Sequence, residues 1–211
     1  MRSGDLENVR VPQTDRDKSA FLNIPYDSRY SKLFLAFIAD LSAYRLTPRV
    51  TLEIPGGHRR LDRILELVQS CRYSFHDLSR VQLDQKRPAT PRFNMPFELG
   101  LTVALQRVKQ RDHDWFVFES LHCRLNKSLS DLDGTDPHIH GGTVQGVFRE
   151  LTNALAHSRY QPTVGDMDRI YRELLIAAPQ IMRDAGTDSL LSARVFRDLA
   201  VVGSRLWSSE S

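Results

Sequence analysis

The stretch YSFHDL at residues 73–78, followed by PFELGLTVALQRVKQ at residues 96–110, decides the fold class of this chain. The first segment is short and mostly apolar, which is typical of a buried strand. The second segment places Leu99, Val103 and Leu105 on a helix, after a polar loop. A strand that leads into a helix is the repeating unit of parallel α/β sheets, so the same unit is expected elsewhere in the chain.

The strand and helix pattern recurs on both sides of this stretch. Residues 20–24 and 50–54 each predict a strand, and apolar side chains at helical spacing follow over 30–44 and 61–68. Residues 115–118 predict a fourth strand. Parallel strands joined by right-handed crossovers carry helices on both faces of their sheet. The sequence therefore predicts an α/β fold, a flavodoxin-like parallel sheet sandwiched by helices.

The pattern changes beyond Ser120, where the sequence predicts no further strand. Helical stretches follow a Gly-, Asp- and His-rich loop and lie near 143–157, 165–185 and 189–207. Pro179 should kink or split the second of them, because its ring removes one backbone hydrogen bond.

Three parts are expected along the chain. They are a flexible N-terminal arm over 1–18, an α/β domain over 19–142 and a C-terminal helical extension over 143–211. The extension has the apolar positions of a helical hairpin, which either packs on the sheet domain or pairs two subunits. We expect a homo-oligomer.

The composition argues against several classes of protein. The 29 basic and 26 acidic residues give a formal charge of +3, and no basic run is present, so nucleic-acid binding is not indicated. No stretch approaches the roughly 20 apolar residues of a membrane helix, so we expect no membrane contact and a cytoplasmic location. Cys71 and Cys123 are too few for a disulfide framework and are expected to be reduced thiols.

Polar side chains gather where the predicted strands end and where the helix near residue 96 begins. Ligands of an open parallel sheet bind outside the carboxyl ends of its strands. Two interpretations stay open for each polar residue there: a ligand contact, or an ordinary cap or turn, as for Asp27 before a helix. The candidate substrate-binding residues are Asn23, Tyr26, Asp27, Asp77, Ser79, Arg92 and Asn94.

Glu98 is the candidate catalytic residue. Pro96 fits only the first turn of a helix, which places Glu98 in that turn, with Asn94 or Met95 as the cap. A carboxylate there gains about 0.3–1 kcal/mol from the helix dipole, so a capping role is one interpretation. The apolar neighbours Phe97 and Leu99 favour the other, in which a carboxylate acts as nucleophile while a glycosidic bond breaks.

Three motifs together resemble a known superfamily. HDLS at 76–79, NMPFELG at 94–100 and FLNIPYD at 21–27 are similar to the nucleoside 2-deoxyribosyltransferases and their relatives, the TIR-like NAD-cleaving domains. The resemblance covers about residues 19–120 and is strongest to an uncharacterised bacterial branch. It implies that Asp77 closes the third strand and that Glu98 is the nucleophile.

One position departs from the superfamily pattern. Arg92 stands six residues before Glu98, where the deoxyribosyltransferases usually carry an acidic or amide residue that holds the sugar hydroxyl. Asn94 is an alternative hydroxyl contact. A guanidinium at Arg92, with Arg80 and Arg59 in nearby loops, suits a phosphate better than a bare nucleoside, because it offers paired donors.

Two functions are consistent with this pattern. The first is N-glycosidic bond cleavage or base exchange on NAD, a nucleoside or a nucleotide. NAD would then be a substrate and not a cofactor, and no cofactor or metal is expected. The second is a non-catalytic TIR-like module that senses a nucleotide or binds a partner protein in bacterial defence or signalling. The resemblance implies a nucleotide or nucleoside as the small-molecule partner in either case.

The segment DLDGTDPHIH at 131–140 allows a further interpretation. Its two histidines and three aspartates are residue types that bind divalent metals, but their spacing also suits a turn-rich loop that bonds its own backbone. We favour the structural role and predict no metal. The loop is also long enough to form a lid over the cleft.

Overall fold

The computed structural model describes residues 13–54, 60–81, 87, 90–109, 112–132 and 134–208. Its helices are α1 (Gln13–Asp17), α2 (Ser31–Ala43), α3 (Arg60–Gln69), α4 (Asn94–Lys109), α5 (Arg124–Ser128), α6 (Val144–Ala154), α7 (Val164–Ala185) and α8 (Ala193–Ser208). Its strands are β1 (Ser19–Asn23), β2 (Thr47–Val50), β3 (Tyr73–Asp77), β4 (Asp114–Glu119) and β5 (His138–Ile139). These strands form one sheet in the order β2-β1-β3-β4-β5, and every pair is parallel. The predicted α/β fold is confirmed.

Helices cover both faces of the sheet because its strands are apolar on both sides. Successive side chains of a strand point to opposite faces. Leu22 and Phe118 pack on one face in the largest buried cluster, together with α2, α6, α7 and α8. Phe21 and Val117 pack on the other face, against α3 and α4 respectively.

Helix α2 is enclosed on two sides, by the sheet and by the C-terminal helices. On the sheet side, the rings of Phe37 and Phe118 lie 5.3 Å apart. On the outer side, the rings of Phe34 and Phe196 lie 6.0 Å apart, and a Cβ added at Gly203 of α8 would come within 2.4 Å of the Ser42 Oγ. The predicted C-terminal hairpin therefore packs on the sheet domain, which is the first of the two alternatives.

Two strand predictions are wrong: the end of the second strand, and the absence of a strand beyond Ser120. The alternation over 50–54 does not form a strand, because β2 ends at Val50 and a 3-10 turn follows at Thr51–Glu53. The Glu53 carboxylate accepts from the Val50 N–H at 2.8 Å and closes that turn. Beyond Ser120, where no strand is predicted, β5 pairs with the end of β4.

The helical predictions hold except at their ends. Helix α7 continues through Pro179 from Val164 to Ala185, so it is not split. Within the predicted N-terminal arm, Gln13–Asp17 forms helix α1, and residues 1–12 lie outside the described part. Among the described residues, no helix combines the length and the apolar character needed to cross a membrane.

Candidate active site at the carboxyl edge of the sheet

The structure divides the predicted site residues into two groups at the carboxyl edge of the sheet. Asn23, Asp77 and Ser79 are buried beneath it and make internal hydrogen bonds. Of the remaining residues, Tyr26, Asp27 and Arg92 are half-buried, Asn94 is exposed and Glu98 is buried on α4.

Asp77, at the end of β3, is a fully buried carboxylate with three hydrogen-bond donors. Its Oδ2 accepts from the Tyr30 hydroxyl and from Nε2 of His140, the latter at 3.0 Å. Its Oδ1 accepts from the Ser79 backbone N–H at 2.7 Å. Burial alone would raise the pKa of Asp77, but the bonds from His140, Ser79 and Tyr30 outweigh it and hold the pKa below its usual value. Asp77 is therefore an ionised group that organises the edge.

His140 acts as a donor in this cluster. Its Nδ1 accepts from the Gly142 N–H at 3.0 Å, so the neutral ring carries its proton on Nε2. That same nitrogen contacts both Asp77 and the Ser79 hydroxyl, the latter at 2.9 Å. A Ser-His-Asp catalytic triad needs the serine and the aspartate on different ring nitrogens, so this cluster is not one.

Asn23, at the end of β1, connects the sheet to the first turn of α4. Its side-chain Nδ2 donates to the Met95 carbonyl at 2.8 Å and lies 3.0 Å from Nδ1 of His76. Because a carbonyl can only accept, this orientation of the amide is fixed, and Nδ1 of His76 accepts. Asn23, Asp77 and Ser79 thus all make internal hydrogen bonds, and the substrate contact predicted for them stays a prediction.

The Asp27 carboxylate contacts the side chains of Arg80 and Arg92. These three residues form what we call the mouth of the carboxyl edge. The Asp27 Oδ2 accepts from Nη1 of Arg92 at 3.2 Å and lies 3.4 Å from Nε of Arg80. Its Oδ1 also accepts from the Arg29 N–H at 3.1 Å, so the predicted capping role is confirmed for the 3-10 turn at Ser28–Tyr30. Two guanidinium groups share one carboxylate, which leaves this part of the surface positively charged.

Glu98 lies one turn further into α4 than the sequence predicts. The helix begins at Asn94, so its first turn carries no acidic residue and the capping interpretation of Glu98 is wrong. The side chain is only 5% exposed, and the described residues provide no hydrogen bond to its carboxyl. Burial raises the pKa of Glu98 from 4.5 to about 7, and the positive charge of Arg60 opposes that rise. A buried carboxyl that has a raised pKa and no hydrogen-bond partner in the described part of the chain is a candidate for a functional site.

Three aromatic side chains belong to the region of Glu98: Tyr26, which is close enough to sense its charge, and Phe93 and Phe97, which are near it in the sequence. The Tyr26 hydroxyl accepts from the Thr51 hydroxyl at 3.2 Å, and burial followed by the nearby Glu98 charge raises the pKa of Tyr26. Phe93 and Phe97 flank the start of α4 and are 66% and 54% exposed. Exposed aromatic rings offer flat surfaces on which a base can stack.

The segment at 131–140 supplies structure. The His138 ring stacks on Phe118 at 5.0 Å and its Nδ1 lies 3.5 Å from Glu150, while His140 bonds Asp77. In the part of the chain that the structure describes, no group of three or more His, Cys, Asp or Glu side chains could hold a metal ion. The lid stays a prediction.

Some predicted residues lie outside the described part. These are Arg59, named as a possible phosphate contact, and Asp133 of the segment at 131–140. The sequence argument missed the role of Tyr30, whose neighbours Arg29 and Ser31 give no local signal of a buried hydroxyl, and it did not pair His140 with Asp77. A small hollow lined by Arg16, Gln106 and His113 lies towards the opposite end of α4 from Glu98 and is not part of the edge.

Comparisons with known proteins do not narrow the function further. No family model, curated protein or solved structure matches this chain. The chemistry of the carboxyl edge is therefore the basis for a functional assignment.

Proposed function

We propose that this protein cleaves the N-glycosidic bond of a phosphorylated nucleoside, either NAD or a nucleotide, with Glu98 as nucleophile. The carrying observation is the Glu98 carboxyl, which is buried, has no hydrogen-bond partner among the described residues and has its pKa raised to about 7. Such a group is available for chemistry, since no ion pair with another described residue ties up its carboxylate and only the charge of Arg60 favours its ionised form.

The proposed reaction proceeds in two steps. A Glu98 carboxylate oxygen bonds to the anomeric carbon while the bond from that carbon to the base nitrogen breaks, and the base leaves with the electron pair. Nicotinamide leaves as a neutral molecule, whereas a purine or pyrimidine needs one proton. Water then bonds to the anomeric carbon, loses a proton and frees the carboxylate; an acceptor base in place of water gives exchange.

The arginines at the mouth favour a phosphorylated substrate. Arg80 and Arg92 together carry one more positive charge than Asp27 neutralises. A guanidinium has five N–H donors and binds phosphate oxygens in pairs, so each arginine can contact Asp27 and a phosphate together. Phe93 or Phe97 would stack on the base, and Asn94 would bond a ribose hydroxyl.

The decisive experiment compares the parent protein with Glu98→Gln on NAD and on a panel of nucleosides and nucleotides, following free base by chromatography. Gln has nearly the shape of Glu but is not a nucleophile, so base release should fall at least about 100-fold. Glu173→Gln, an exposed site on α7, is the matched control and should retain full activity. Equal release by parent and Glu98→Gln would refute the assignment.

The pH dependence supplies an independent check. The nucleophile is the ionised form, which accumulates as the pH rises through about 7. We therefore expect kcat/KM to rise by about tenfold between pH 6 and pH 8 and then level off. A rate that falls over this range would indicate that protonated Glu98 acts instead as an acid.

A second candidate is a nucleotide-sensing module without turnover. It is favoured by the burial of Asn23 and Asp77, because both are occupied by internal hydrogen bonds and the edge therefore has fewer free polar groups. Nucleotide binding, measured by calorimetry, without base release from any substrate would support this function over the enzyme.

A further inference from the structure

His76 has a buried polar atom without a partner. The ring lies on β3, is fully buried, and contacts the edge of Phe21 with ring centroids 6.0 Å apart. Its Nδ1 accepts from Asn23, so its proton lies on Nε2. That Nε2 has no hydrogen-bond partner among the described residues. A buried N–H without an acceptor is costly, which makes its presence at a candidate site informative.

Asn23 ties this histidine to the helix that carries Glu98. The same amide nitrogen that contacts His76 also donates to the Met95 carbonyl. Met95 and Glu98 are three residues apart on α4, and residues at this spacing share one face of a helix. Both are buried, so both belong to the side of α4 that packs against the rest of the domain. A donor without an acceptor and a carboxyl for which no described residue is a donor therefore belong to the same interface.

We infer that His76 is a positioning residue for Glu98, whose ionised carboxylate is linked to Nε2 of His76 through one water molecule that accepts from Nε2 and donates to the carboxylate. This inference rests on the proposed function, in which Glu98 must ionise before it reacts. The bond stabilises the carboxylate and fixes its orientation while the other oxygen stays free for the anomeric carbon. Burial followed by the charge of His113 lowers the pKa of His76 to about 3, so the ring stays a neutral donor at any pH where the enzyme works.

Two substitutions at His76 separate this role from a merely structural one. In His76→Asn the side-chain oxygen takes the place of Nδ1, so the contact with Asn23 is kept and the Nε2 donor is lost. In His76→Gln the amide nitrogen takes the place of Nε2, so the donor is kept. We expect His76→Asn to raise the pKa of Glu98 by about one pH unit, because a hydrogen bond to the charged form is removed. His76→Gln should leave it near the parent value.

The readout is the carboxyl carbon resonance of Glu98, titrated by NMR in protein labelled at glutamate and assigned with Glu98→Gln. It needs no substrate, so it stays decisive even if no base is ever released, which would count against the proposed function alone. A Glu98 pKa that is unchanged or lower in His76→Asn overturns the inference.

A second measurement uses the folded parent protein and needs no His76 variant. The Nε2 resonance of His76 should shift with a midpoint equal to the pKa of Glu98, although His76 itself does not titrate there. The shift should vanish between pH 5.5 and pH 8.5 in Glu98→Gln. A flat Nε2 resonance in the parent protein would also overturn the inference.

Discussion

Two buried carboxyl groups lie at the same edge of the sheet and differ in almost everything except burial. Asp77 has three donors and is held ionised, whereas Glu98 has none among the described residues and has its pKa raised to about 7. The difference follows from neighbouring donors rather than from depth, because hydrogen bonds to the charged form lower the pKa of a buried carboxyl and burial alone raises it. The Asp77 cluster builds the edge, and the Glu98 region is where we propose that chemistry occurs.

The largest expected effect comes from removing the partnered carboxylate. Asp77→Ala leaves the Tyr30 hydroxyl, the His140 ring and the Ser79 N–H without their acceptor. We expect the free energy of unfolding to fall by about 4 kcal/mol, measured by urea denaturation at pH 7. Glu98→Gln, studied in parallel, should cost no stability. A loss below about 1 kcal/mol for Asp77→Ala would break the comparison.

The buried Glu98 carboxyl should instead make the free energy of unfolding depend on pH. Because the pKa of Glu98 is raised from 4.5 to about 7, its protonated form favours the folded state, and this contribution is complete below pH 4.5. It is lost as the pH rises to about 7, and the loss is roughly 3 kcal/mol.

Glu98→Gln is the test of that sign. The variant should be more stable than the parent at pH 8 by up to about 3 kcal/mol and equal to it at pH 4.5, as measured by urea denaturation at both values. If the two proteins differ by the same amount at both pH values, Glu98 does not titrate in this range.

The arginines at the mouth sharpen the comparison on the side of the ligand. Arg92→Ala should weaken binding of a nucleoside monophosphate by about tenfold and leave binding of the parent nucleoside unchanged, since only the phosphate contact is lost. Arg29→Ala, at an exposed arginine two residues after Asp27, is the matched control. Equal losses for nucleotide and nucleoside in Arg92→Ala would place the phosphate elsewhere.

The smallest expected effect on stability comes from Ser79, a member of the Asp77 cluster. Ser79→Ala removes a hydroxyl that contacts His140 but keeps the backbone N–H to Asp77. The free energy of unfolding should fall by about 1 kcal/mol. A change as large as that of Asp77→Ala would mean that the hydroxyl, and not the carboxylate, holds the cluster together.

The sequence predicts what local pattern encodes. The alternation of strands and helices predicts the parallel sheet. Pro96 predicts the start of a helix, and the apolar neighbours of Glu98 mark that residue as a candidate. A local pattern does not reveal the hydrogen bond from His140 to Asp77, because the two residues are 63 positions apart in the chain. Strand β5 has only two residues, too few for any period to be visible, and it exists through its pairing with β4.

The same limit explains the wrong strand boundary at Val50. Leu52 and Ile54 alternate as in a strand, but a turn closed by the Glu53 side chain takes their place. A side chain that bonds its own backbone competes with the sheet, and hydrophobic alternation does not register that competition.

The enclosure of α2 affects the order in which this protein can be made. The outer face of α2 is covered by Phe196 and Gly203 of α8, and these residues leave the ribosome more than 150 residues after Phe34 does. Until then a row of apolar side chains is open to solvent or to a chaperone. A shortened gene that stops after the sheet would leave that surface uncovered for good, and its product should aggregate rather than fold.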